Sequence, residues 1–178
     1  MKKLLIVMSL AGLPLFAQAG GSTTPANPLS TGTKFLYTIS KDDVLKSAEE
    51  MPEANYSFKP VDTVRSFGQL VGHVADAQYE FCSAVVGDGK KSPDVEKTKT
   101  SKTDLIAALK EAFAYCDQAY NGMTDAHAAD MVDFFGHKSP KLTILEFNVS
   151  HNMEHYGNMV TYLRMKGLVP PSSQKGSM

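Results

Sequence analysis

The segment from Ser139 to Gly167 constrains this chain most, because it reads as one long, well-bounded helix. Ser139 is placed as N-cap with Pro140 at the first helical position, and Gly167 stops the helix just after Lys166. Leu142, Leu145, Val149, Met153, Tyr156, Val160 and Leu163 recur at helical spacing and form a core stripe. His151 and His155 flank that stripe, on the same side as Ile144, Met159 and Tyr162. They therefore face a half-buried groove rather than open water.

Residues at i and i+4 stand one above the other on a helix face, and two imidazoles so placed can share one metal ion. A third can come from His73, in another apolar, helix-patterned segment. Three histidines with an open fourth position make a catalytic-type site, and zinc, nickel and iron all suit imidazole. The competing reading is a pair of hydrogen-bonded core histidines. The metalloprotease signature is absent, since it needs Glu directly after the first His and position 152 is Asn. His127 and His137 lie beside Asp and Gly-Lys in a mixed stretch and read as solvent-facing loop residues.

Three further helices precede this one. Phe35 to Met51 carries Phe35, Ile39, Val44, Leu45 and Ala48 on one face. The second opens at Ser66, where Ser66 and Gln69 form a capping-box pattern, and runs to Val86 with Leu70, Val74, Ala77, Phe81 and Val85 inward. Asp76, one turn beyond His73, is either a hydrogen-bond acceptor for a ligand imidazole or a solvated surface group. The third spans Thr103 to Tyr120, with Leu105, Ile106, Leu109, Ala112, Phe113 and Cys116 on its apolar face. Between the second and third, residues 87–101 are polar and lysine-rich, longer than a usual helix–helix turn. Such a segment either crosses the bundle from end to end or loops loosely between antiparallel helices. Glu80, Glu154 and Tyr162 are candidate acid–base groups by helical proximity alone.

The first nineteen residues read as an export signal rather than as fold. Lys2 and Lys3 precede a short apolar run, Leu4 to Phe16, and Ala17-Gln18-Ala19 is a small-x-small cleavage site. Cleavage there removes both lysines and no acid, so the formal net charge goes from −1 to −3. The run is short for a membrane span, so the competing reading, an uncleaved anchor, is the weaker one; after cleavage no membrane association is expected and the mature chain belongs in the periplasm or outside. Residues 20–33, rich in Gly, Ser, Thr and Pro, read as a flexible lead-in, and 174–178 as a tail. With charge nearly balanced and no basic block, no nucleic-acid groove is expected.

Two stretches together resemble the DinB-like superfamily. His151-Asn-Met-Glu-His155-Tyr-Gly through Pro170-Pro171-Ser-Ser173 is similar to its last helix and tail, and Arg65-Ser-Phe-Gly-Gln-Leu-Val-Gly-His73 through Tyr79 to its second helix. The resemblance covers about residues 34–173. It implies an all-α four-helix bundle, up-down-down-up, with a long crossover between helices 2 and 3. It also implies that His73, His151 and His155 are the ligands of a divalent metal. Some relatives carry a further His one turn earlier, where this chain has Phe147. With helices 2 and 3 parallel, Cys82 and Cys116 come to similar heights, and an even cysteine count in an exported protein then leaves a disulfide or two buried thiols. Within the superfamily some members are thiol-dependent transferases or isomerases. The expectation is an exported metal-dependent transferase or hydrolase acting on a small molecule, or else a non-enzymatic metal-binding or stress protein on the same scaffold. Relatives often pair through bundle faces, so a homodimer is expected.

Overall fold

The computed structural model describes residues 26–174 and 176. The signal sequence expected over residues 1–19 lies outside them. Four long helices make the bundle: α1 (Pro28–Glu50), α2 (Phe67–Val86), α4 (Lys102–Gly122) and α5 (Lys141–Met165). A single-turn helix, α3 (Val95–Thr98), sits in the segment joining α2 to α4, and a hairpin of β1 (Met131–Phe134) and β2 (His137–Pro140) precedes α5.

Residue pairs fix the helix directions. Along α2 and α4, Gly68 lies beside Leu105 and Cys82 beside Cys116, so these two run parallel. Between α2 and α5, Phe81 meets Phe147 while the Tyr162 hydroxyl donates to the Arg65 carbonyl at 2.7 Å, so they run antiparallel. α1 opposes α4, with Ser30 near Asp125 at one end and Lys102 near Met51 at the other. The topology is the expected up-down-down-up, and residues 87–101 are the crossover that parallel helices require. The core lies where the four helices meet, around Phe67, Val74, Leu109, Phe113, Leu145 and Met159.

The second helix starts as its sequence predicts. Ser66 Oγ accepts from the Gln69 amide and Gln69 Oε1 accepts from the Ser66 amide, closing the capping box. Other boundaries differ. α1 begins at Pro28, not Phe35, so residues 28–33 are helical rather than lead-in. Its orphan amides are capped at long range: Ser30 N–H donates to Asp125 Oδ1 at 2.8 Å and Leu29 N–H to Asp125 Oδ2 at 3.1 Å. Ser139 is not the N-cap of the last helix. It pairs with Val132 in the hairpin, Pro140 takes the cap position, and the Lys141 and Leu142 amides donate to the Asp130 and Ala128 carbonyls.

Two apolar faces are also turned from their expected directions. On α1, Phe35 is 65% and Ile39 39% exposed, while Ser30, Thr33, Ser40 and Ser47 are buried. Thr33, Ser40 and Ser47 donate to carbonyls of their own helix, for example Ser47 Oγ to Asp43 O at 2.7 Å, and Ser30 donates to Asp125 Oδ1, so burying them leaves no donor unmet. On α5, Met153 points outward and Asn148 and Asn152 point in. They join Gln78 in a buried relay: Asn148 Nδ2 donates to Gln78 Oε1 at 3.0 Å and Gln78 Nε2 to Asn152 Oδ1 at 2.8 Å. Cys82 and Cys116 form a disulfide beside this relay, with a Cα separation of 5.2 Å.

Candidate metal centre

His73 comes from the middle of α2, and His151 and His155 from successive turns of α5. Because α2 and α5 run antiparallel in contact, the three side chains meet in the groove between them. Nε2 of His151 lies 3.1 Å from Nε2 of His73 and 3.1 Å from Nε2 of His155. One ligand atom from each ring falls within 4.8 Å of the others, and this is the grouping of its kind among the described residues. The three residues singled out in the sequence are thus brought together. His127 and His137 are exposed and stand apart, His127 paired with Asp130 at 2.9 Å and His137 in β2 rather than in a loop.

The surroundings favour neutral rings. Burial and the neighbouring imidazoles push His151 down to about 3, and burial followed by the charge of His73 pushes His155 down to about 4. Three Nε2 atoms that face one another, with their protons on Nδ1, make the donor set a divalent ion takes. The outer nitrogens differ. Nδ1 of His151 and Nδ1 of His155 are buried without a hydrogen-bond partner, whereas Nδ1 of His73 lies 3.2 Å from Glu96 Oε2.

Asp76 has neither of its expected roles. It accepts from the amides of Val95 at 2.7 Å and Glu96 at 2.9 Å, and from Ser92 Oγ, and so holds the start of α3. The carboxylate that lies beside a ring of the cluster is instead Glu96, its Oε2 being the atom 3.2 Å from His73 Nδ1. Of the candidate acid–base groups, Glu80 is exposed, and the Tyr162 hydroxyl is committed to the Arg65 carbonyl. Glu154 is exposed and, with His155, Arg65 and Asn158, lines a groove of 810 Å³. On the other side of the cluster Phe81 packs 5.3 Å from the His151 ring and 5.3 Å from Phe147. An aromatic wall therefore stands where a further histidine would occur.

The fold is a four-helix bundle of up-down-down-up topology. Residues 36–159 match the DinB superfamily, and the chain belongs to it. It is 29% identical over 124 residues to the uncharacterized protein YjoA of Bacillus subtilis (strain 168), a match spanning 67% of this chain and 79% of that one. The YjoA crystal structure superposes with a TM-score of 0.64 at 22% identity, covering 81% of this chain and 99% of YjoA. A DinB-like protein from Bacillus cereus ATCC 10987 superposes with a TM-score of 0.70 at 19% identity, covering 79% and 95%. A mycothiol-dependent maleylpyruvate isomerase shares the fold with a TM-score of 0.62 at 14% identity, over 73% of this chain and 60% of its own.

Proposed function

We propose that this protein is an exported metalloprotein of the DinB superfamily in which His73, His151 and His155 bind one divalent ion, zinc, nickel or iron, and act on a small molecule as a metal-dependent transferase or hydrolase. The observation that carries this reading is the convergence of three Nε2 atoms, two pairs of them at 3.1 Å, beside a groove that His155 lines. The leader pattern of residues 1–19 supports export, and a buried disulfide suits an oxidising compartment.

A divalent ion held by His73, His151 and His155 would lower the pKa of a bound water or thiol toward neutrality. The protein's own contributions are separable from that. α2 and α5 hold the three rings, the Gln78–Asn148–Asn152 relay fixes the register between these two helices, and the disulfide ties α2 to α4. Phe81 and Phe147 shield one side of the cluster from water, and Glu154 stands at the groove mouth where it can accept a proton from a bound substrate.

Metal analysis of the protein purified from its native compartment should return one divalent ion per chain. The His151→Ala, His155→Ala double variant should lose it, while His127→Ala and His137→Ala keep it. Unchanged stoichiometry in the double variant would sink the assignment. A screen of thiol and ester substrates on the loaded protein then separates transfer from hydrolysis. The structural kinship with a mycothiol-dependent enzyme is the reason to include thiols.

A further inference from the structure

We infer that Glu96 is the positioning residue of the tri-histidine cluster: its carboxylate, beside Nδ1 of His73, keeps that ring's proton on Nδ1 and leaves Nε2 as a bare lone pair facing His151 and His155. The inference rests on the metal-centre reading for its purpose, but its geometry stands alone.

The crossover is built to deliver this one carboxylate. Asp76 pins the backbone amides of Val95 and Glu96, and the Val95 side chain is buried against the bundle. Gly72, next to His73, allows the approach. A Cβ on Gly72 would stand 2.6 Å from Glu96 Cα and 2.9 Å from its amide nitrogen, so any side chain there would drive α3 off α2. With its backbone fixed, Glu96 divides its two oxygens. Oε1 accepts from Arg65 Nε at 2.9 Å, and Oε2 is left for His73 Nδ1 at 3.2 Å. Arg65 balances the charge and sets which oxygen faces the ring.

Position on the ring decides the role. Glu96 meets His73 at Nδ1, whereas the nitrogen turned toward the other histidines is Nε2. Glu96 is thus not a fourth ligand but the group that fixes the tautomer and orientation of one. His151 and His155 have no such partner, since their Nδ1 atoms are buried and unpaired. Of the three rings, His73 is the one whose proton the protein itself assigns.

The isosteric variant Glu96→Gln gives an inverted signature. A carboxamide has a single oxygen, and Arg65 Nε, which can only donate, claims it. The NH₂ group then faces His73 Nδ1, which must become the acceptor, so the proton moves to Nε2, the nitrogen a metal needs free. Long-range ¹H–¹⁵N correlation spectra of the full-length, metal-free protein should show His73 as the Nδ1–H tautomer. The same spectra should show Nε2–H in Glu96→Gln and a mixture in Glu96→Ala. Zinc affinity, measured by chelator competition, should fall about 10- to 100-fold in both. A wild-type His73 tautomer together with wild-type zinc affinity in both variants overturns the inference, even if zinc binds. If the tautomer shifts as expected while the parent protein binds no zinc, the role of Glu96 stands and the metal reading falls.

Discussion

His151 and His155, packed together out of water, cost the fold something that pH makes visible. His151 and His155 hold protons far less readily in the folded chain than the ordinary imidazole value of 6.5, chiefly through burial. Acid therefore favours the unfolded chain, whose free histidines protonate first. Above about pH 6.5 the pair contributes no pH dependence, and stability is lost progressively as pH falls from there toward about 4. The denaturation midpoint of the metal-free protein should drop over this window, and His151→Gln should flatten the slope; an equally steep profile in that variant would contradict the assignment. At this scale the three clustered histidines were legible because they obey helical spacing beside apolar residues. Glu96 was not. It reaches His73 from a polar crossover without periodicity, and its placement depends on Asp76 and Gly72 acting across space.

Elements follow the sequence where their signals are local and depart from it where partners are remote. The capping box of α2 lies within four residues and reads directly. The cap of α1 is Asp125, 95 residues from Ser30, and no local pattern could announce it. The start of α5 carries a good capping pair, Ser139-Pro140, yet the hairpin recruits Ser139 for its ladder. That hairpin turns through Phe135 and Gly136, both with positive φ, where Asn-Gly would have been the recognisable signal. The buried faces of α1 and α5 depart from apolar periodicity for one reason: side chains that satisfy their hydrogen bonds internally can be buried like apolar ones. The disulfide makes the testable element here. It joins α2 to α4 across a sequence separation of 34. Replacing Cys82 and Cys116 by Ser should cost about 3–4 kcal/mol in urea denaturation, by loop-closure entropy. A loss below about 1 kcal/mol would mean the bridge contributes little to holding the parallel pair.

The whole molecule presents a row of exposed apolar side chains along α1: Leu29, Phe35, Leu36 and Ile39. Such rows mark contact surfaces more often than free ones. Light scattering at tens of micromolar should return a dimer mass, and Leu36→Glu should shift it toward the monomer; a monomer from the parent chain ends the idea. No helix among the described residues is long and apolar enough to cross a membrane.

The disulfide and the histidine cluster sit on opposite neighbours of the same helix. α2 is tied to α4 through Cys82 and to α5 through His73, whereas α1 takes part in neither tie and meets the bundle partly through serine hydroxyls. The bundle is therefore a braced three-helix frame with a fourth helix laid on it. In amide hydrogen exchange, α1 should open first and alone, and zinc should slow exchange in α2 and α5 while leaving α1 nearly untouched.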